Sequence, residues 1–447
     1  MVSGTALDVI LARRLQLGDP GGHLQRAMRE FPHPAIAGRV RRRYLLSGGK
    51  PAGTRFASVP MHSLRSPKRL VELTVLANFV EVYLAKEGHA GRVGINYLEK
   101  IQLPNLASLY GAMLAGVDYV LMGAGIPREI PGVLDKLAKH EPVELQIDVA
   151  GAGRDEAHRI RFDPASMLPV PNAPLRRPFF LAIVASTTLA LALAKRATGK
   201  VDGFVVEGPV AGGHNAPPRG PLSVDGSGQP IYGAKDSVDL RRFRDLGVPF
   251  WLAGAYGRPE RIAEARREGA CGVQVGTLFA LCDESGIMPS LKAEALRRIR
   301  SGTLPEVFTD PTASPTGFPF KVVRLPDTLA DPETYERRRR SCDLGFLRTV
   351  FRRADGAVGY RCPAEPPQTY VRKGGRQGDT IGRRCLCNGL VATVGMAQVR
   401  DDGYEEPPIL TSGDDLSAID ALLAGETISY AAADVIRLLL GAAPAGP

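Results

Sequence analysis

The sequence predicts an α/β protein built on a TIM-type (β/α)8 barrel, with an N-terminal arm, an insertion and a C-terminal mostly helical extension. Three observations predict it. Short apolar, β-branched runs alternate with helical segments from residue 58 onward, the rhythm of repeated βα units. The phrases Gly116-Val117-Asp118, Lys200-Val201-Asp202-Gly203 and Gly269-Ala270-Cys271-Gly272 recur, each closing a helix and entering a strand. About seven such units over about 220 residues fit a closed barrel better than an open doubly wound sheet.

Residues 1–55 read as an arm, with a helical pattern at 7–15, turns at 18–22 and a basic stretch ending at Lys50-Pro51. The barrel is expected over residues 56–325. Its candidate strands are 92–96, 117–122, 143–147, 180–185, 203–207, 250–253 and 272–275. Helices are expected at 106–115, 131–139, 187–197, 236–246 and 259–268. Residues 151–172 alternate polar and apolar side chains (HRIRF) between proline turns and read as an insertion. Residues 217–233, long and polar, read as a lid or substrate-binding segment. Past about residue 290 come a helix at 291–300 and a Pro- and Thr-rich stretch at 305–326. The extension, 326–447, holds four of the cysteines and a closing helix pair at 414–424 and 427–440. Ser412 and Asp414 offer N-cap oxygens to the first of these helices, and Gly425 separates the two.

Of the 447 residues, 44% are hydrophobic and 23% charged, an ordinary globular balance able to bury a large core. A net charge of +10 suits an anionic ligand. The runs Arg41-Arg42-Arg43 and Arg337-Arg338-Arg339-Arg340 lack interleaved aromatics, and the second reads as a solvated helix, so no nucleic acid is expected. The most apolar run, 179–194, contains Ser186, Thr187 and Thr188 and is shorter than the roughly 20 residues of a bilayer span. It reads as a buried strand turning into a helix, with no membrane role. The N-terminus shows no signal-peptide pattern, and six cysteines in so long a chain are no secreted disulfide framework. A cytoplasmic protein is expected.

The chemistry is expected in residues 203–215, GFVVEGPVAGGHN. A buried strand ends at Glu207, and Ala211-Gly212-Gly213 then leads to His214. Adjacent glycines let the backbone approach a ligand closely, because no Cβ stands in the way. His214 follows the carboxyl end of a strand, where α/β folds keep their sites, and imidazole titrates near neutrality. Two further loops suit a phosphate: Gly254-Ala255 after one strand and Gly276-Thr277 after the next. Neighbouring βα loops of small residues present backbone N–H groups to an anion, and Thr277 adds a hydroxyl.

Taken in order, Gly94-Ile95-Asn96, Ala211-Gly212-Gly213-His214, Ala253-Gly254 and Gly272-Val273-Gln274-Val275-Gly276-Thr277 resemble the motifs of the nitronate monooxygenase family. Pro60-Met61 and Gly123-Ala124-Gly125-Ile126-Pro127 resemble two more, and the likeness spans roughly residues 56–285. The resemblance implies an FMN-binding TIM barrel. It implies that Gly254, Ala255, Gly276 and Thr277 hold the FMN phosphate, and that Asn96, Ala211, Gly212 and Gly213 lie along the flavin. Gln274 reaches the ring or supports its strand, and His214 moves the proton. The sequence departs from the family pattern at residues 77–82, where a glycine-rich turn is replaced by ANFVEV, at Ala255 in place of a second glycine, and at Asn215.

Cys342, Cys362, Cys385 and Cys387 supply enough thiolates for a zinc site or an iron–sulfur cluster. Their spacing is irregular, with no C-x-x-C pair, so buried reduced cysteines are the favoured reading. Cys271 and Cys282 read as packing residues.

The expected function is that of an FMN-dependent oxidoreductase acting on a small molecule, oxidising a nitronate or similar carbanion with O2. A second reading is an NAD(P)H-dependent enoyl-thioester reductase whose basic surface and Arg219 meet an acyl carrier or CoA. A third is a barrel binding a phosphorylated ligand without redox chemistry.

Overall fold

Strand β1 (Val2–Ser3) pairs in parallel with β2 (Gly94–Leu98), which pairs with β3 (Tyr119–Gly123). The computed structural model describes residues 1–153, 156–167, 173–423 and 428–441. After β3 the chain leaves the sheet for β4 (Val143–Gln146), β5 (Val149–Ala150) and β6 (Arg159–Phe162). It returns as β7 (Phe179–Val184), β8 (Gly203–Glu207), β9 (Phe250–Ala253) and β10 (Gly272–Gln274). The order β1-β2-β3-β7-β8-β9-β10 makes seven parallel strands, curled into the wall of a TIM-type barrel.

Side-chain alternation divides that wall into two faces. In β8, Phe204 and Val206 are buried in the layer packed against the outer helices, while Val205 faces the lumen with Leu121, Leu181 and Ala253. The outer helices include Lys68–Lys86, Asn105–Leu114, Ile130–Leu137, Thr187–Arg196 and Pro259–Arg267. Phe180 and Phe204 are fully buried, and each contributes on the order of 2–3 kcal/mol through area removed from water.

Six of the seven expected barrel strands take their places; residues 143–147 do not. There β4 pairs antiparallel with β6, with Val143 and Leu145 buried and Glu144 and Gln146 exposed. That alternation suits a strand with one wet face, whereas a parallel barrel strand is covered on both. The missing strand comes from the expected N-terminal arm, whose Val2–Ser3 joins the sheet edge. The helix after it, Leu7–Gln16, is anchored through Asp8, whose Oδ2 lies 2.7 Å from His62 Nε2. The insertion around HRIRF forms β6, but its residues 154–155 and 168–172 lie outside the described ones.

The later chain builds β11 (Val307–Asp310) antiparallel to β12 (Phe320–Val323), and β13 (Thr349–Arg352) antiparallel to β14 (Val358–Arg361), with β5 on the other side of β13. Of the closing helix pair, one turn at Ser417–Asp420 and the helix Ala432–Leu439 are described; Ala424, Gly425 and Thr427 lie outside the described residues. The arginine run is not uniformly solvated: the helix stops at Arg337, and Arg338 is buried against Glu406 at 2.6 Å. Among the described residues no helix is long and apolar enough to cross a membrane.

Candidate active site

The β8 strand delivers its loop to the carboxyl end of the barrel, and four hydrogen bonds set its course. Ala211 N–H donates to Gly208 O at 3.1 Å, and Asn215 Nδ2 donates back to Ala211 O at 3.0 Å. Asn215 is buried, so the loop is pinned from beneath. Asn215 N–H donates to Pro319 O, and Lys321 N–H donates to Gly213 O, both at 2.9 Å, stitching the loop to β12. Gly213 has φ +85°, a conformation that suits glycine.

His214 is held between two groups from the later chain. Its ring meets Phe320 edge-on at 4.8 Å, and its Nε2 lies 2.8 Å from Ser314 Oγ. Ser314 Oγ in turn lies 2.8 Å from Thr316 Oγ1. Burial pushes the His214 pKa down to about 4, because the charged imidazolium loses its water. At neutral pH the ring is therefore uncharged.

The expected phosphate loops adjoin the histidine loop. A Cβ added to Gly254 would lie 3.0 Å from Val210 Cγ2 and 3.1 Å from Ala211 N. Ala255 carries φ +58°, a left-handed backbone at the position of the expected second glycine. Gly276 leads into a single helical turn, Thr277–Ala280, too short for much of a dipole.

Residues 411–414 run across this mouth and join its loops. Gly213 N–H donates to Thr411 Oγ1 at 3.0 Å, Gly413 N–H to Thr277 Oγ1 at 2.9 Å, and Asp414 N–H to Val210 O at 3.1 Å. Lys321, itself buried, reaches Asp414 Oδ1 at 2.6 Å. Ser412 and Asp414 are thus not helix caps. The hydroxyl of Ser412 turns to Gly413 O, and the turn at Ser417 is served by Asp415 instead. A Ser-x-Asp ahead of a helical pattern carries the same signal in both roles, and only long-range packing separates them.

Inside the barrel, polar side chains stand without partners. Asn96 faces the lumen from β2 with its Oδ1 buried and unbonded. Glu207 and Gln274 both register with Ala253 across neighbouring strands, so the three share the lumen face at the rim. Among the described residues, neither the Glu207 carboxyl nor the Gln274 amide has a hydrogen-bond partner. Burial pushes Glu207 up to about 8. Sequence reasoning assigned Glu207 no role and missed Ser314, Phe320, Lys321 and Thr411, which come from distant segments.

Cys362 and Cys385 are buried together with Cys387 against them, and Cys342 lies within electrostatic reach of Cys362 and Cys387. Among the described residues no group of three or more His, Cys, Asp or Glu is placed to hold a metal ion, so the zinc or iron–sulfur geometry is not met. Burial raises all four thiols, Cys387 to about 12, which keeps them protonated. Cys282 is buried as expected, whereas Cys271 is exposed.

Residues 154–304 match the family model for nitronate monooxygenase. Over that segment, about a third of the chain, the sequence is similar to the nitronate monooxygenase family. It is accordingly an oxidoreductase. Among solved structures, a FabK variant from Thermotoga maritima is similar at 16% identity and TM-score 0.42, covering 80% of this chain and 77% of that one. Nitroalkane oxidase from Streptomyces ansochromogenes is similar at 16% identity and TM-score 0.33, covering 53% and 62%. The enoyl reductase domain of MlnA from Bacillus amyloliquefaciens is similar at 11% identity and TM-score 0.41, covering 84% and 85%. No curated protein matches.

Proposed function

We propose that the protein is an FMN-dependent oxidoreductase that oxidises a nitronate or similar carbanion with O2, with His214 as its proton-transferring residue. The observation that carries this reading is the placement of His214 past the carboxyl end of β8, its Nε2 held 2.8 Å from the buried Ser314 hydroxyl and its ring left uncharged at neutral pH. A neutral ring takes a proton, as needed to generate a carbanion from a neutral nitroalkane.

The lumen fits a flavin on its own chemistry. The unbonded Asn96 Oδ1 and the unpartnered Gln274 amide suit a heterocycle with both donors and acceptors. Ala211, Gly212 and Gly213 would bound it with backbone, the Ala211 and Gly213 amide and carbonyl groups being bonded within the chain. At the phosphate end stand Gly254, Ala255, Gly276 and Thr277, whose hydroxyl accepts from Gly413 and still has its own proton to donate. FMN supplies two-electron redox chemistry there. The protein's part is to orient the ring, exclude water and hold the base at His214.

A second reading, enoyl-thioester reduction with an acyl carrier or CoA thioester, draws on the 217–233 loop. Leu222, Val224 and Ile231 are exposed there beside Arg219, an apolar rim suited to an acyl chain and its anionic carrier. Anaerobic titration of the FMN-loaded protein separates the two. Bleaching by a nitronate without nicotinamide supports the first reading, and bleaching by NAD(P)H alone overturns it in favour of the second. A preparation that takes up no FMN overturns both.

A further inference from the structure

We propose that the groove between the helix Ile130–Leu137 and the outer β4–β6 hairpin is a second binding site, which takes the phosphate group of a small hydroxylated molecule on Lys136 and Arg161. The site lies outside the barrel lumen, and its assignment does not rest on the reading of His214 given above.

The groove holds about 360 Å3, a volume within the range of small-ligand pockets. Val133 and Val143, both buried, give it an apolar floor. Its walls carry Lys136, Arg159 and Arg161 together with Glu129 and Glu144. It exists because β4 and β6 pair outside the barrel. Their alternation buries Leu145 and Ile160 and sends Glu144, Arg159 and Arg161 to the wet face. The remaining side is closed by Thr198, whose N–H donates to Arg128 O and whose hydroxyl donates to Glu129 O, both at 3.0 Å. A Cβ on Gly132 would stand 2.5 Å from Thr198 Oγ1, so this wall packs without slack.

The charges in the groove are left unmatched. Glu144 stands directly across from Arg161 in the β4–β6 register, where opposite charges ordinarily pair. Among the described residues they make no ion pair, and neither the Arg161 guanidinium nor the Lys136 ammonium has a partner. Arg159 approaches Glu129 only to 3.7 Å, longer than a hydrogen bond. Three cations thus meet two carboxylates, with one free cation on the helix and one on the hairpin. A guanidinium offers a planar fork of donors and an ammonium a mobile point charge, a pair that suits the oxygens of a phosphate. The Glu144 carboxylate repels a bare anion, but it accepts hydrogen bonds from hydroxyls that an anion carries. The groove therefore favours a sugar phosphate or a nucleotide over inorganic phosphate.

The test is calorimetric titration with ribose 5-phosphate, AMP and inorganic phosphate. The protein is first saturated with FMN, so that the phosphate loops of the barrel mouth are filled. Ribose 5-phosphate or AMP is expected to bind about tenfold more tightly than inorganic phosphate, and the tighter of the two tells sugar phosphate from nucleotide. Arg161→Ala is expected to weaken both about tenfold, and Lys136→Ala about threefold to tenfold. Glu144→Ala is expected to lose most of the preference for the hydroxylated ligands while binding inorganic phosphate at least as well. Arg42→Ala removes the same charge from an exposed position on another helix and is expected to change nothing. Lys136, Glu144 and Arg161 are exposed as well, and melting curves confirm that the variants fold. Equal losses in Arg161→Ala and Arg42→Ala would show general attraction to a basic surface and overturn the assignment. So would unchanged affinity in Arg161→Ala and Lys136→Ala, or no binding of any of the three ligands up to about 10 mM. A loss specific to Arg161→Ala and Lys136→Ala supports the site whether or not FMN is taken up, so its failure and that of the FMN reading are told apart.

Discussion

Ser314 Oγ lies 2.8 Å from His214 Nε2, joining a hydroxyl of the β11–β12 connection to the imidazole of the β8 loop. Ser314 is fully buried, so the bond is shielded from water. It fixes the ring plane and engages one nitrogen, leaving Nδ1 as the other.

His214→Ala and Ser314→Ala therefore form a graded pair. His214→Ala is expected to cut turnover by about 10²–10⁴ while flavin binding is retained. Ser314→Ala removes one orienting hydrogen bond and is expected to lower kcat about tenfold with little change in KM. Steady-state kinetics across pH measure both. Full activity in His214→Ala would refute its proton-transfer role.

The two lumen groups make opposite contributions to stability as pH changes. Glu207 has a folded pKa near 8 against an ordinary 4.5, so between those values the folded chain holds a proton that the unfolded chain has lost. Stability then falls as pH rises through that window. His214, at about 4 against 6.5, is protonated only in the unfolded state over its own window, so its contribution rises with pH there. The two oppose each other up to about pH 6.5 and Glu207 acts alone up to about pH 8, with a slope of at most about 1.4 kcal/mol per unit. Urea melts at pH 6.5 and 8 should show the decline in the ligand-free wild type and lose it in Glu207→Gln. An unchanged slope in that variant would count against the buried-acid assignment.

Gly212 is required by a close approach. A Cβ there would stand 2.7 Å from the carbonyl carbon of Ser412, which is backbone and cannot swing away. Gly212→Ala is expected to cost about 1–3 kcal/mol by pushing residues 411–414 off the mouth. Thermal melting measures the cost, and an unchanged Tm would show that this segment yields freely.

Ala255 invites the reverse change. Its φ of +58° places an L residue in the left-handed region, which costs roughly 1–2 kcal/mol and is partly regained on substitution by glycine. Ala255→Gly is expected to raise stability by up to about 1 kcal/mol, read from the denaturant midpoint. Destabilisation would mean that the methyl group contributes packing worth more than the strain.

By itself the sequence determined the repeating βα core. β2, β3 and β7–β10 are buried on both faces, and such strands must be written as near-continuous apolar runs. It also marked the glycines before His214 as a place of close backbone approach, but expected a ligand there, whereas at Gly212 the approach is made by Ser412 of the same chain. Tertiary structure alone decided the rest. Val2–Ser3 is too short to show a period, yet it completes the sheet edge once Ile95 and Asn96 present unpaired backbone to it. Residues 143–146 have strand character, but their one-sided burial sends them to an outer hairpin. Ser314, Lys321 and Thr411 acquire meaning only because folding brings segments some hundred or more residues apart to one barrel mouth, and local sequence carries no record of such distances.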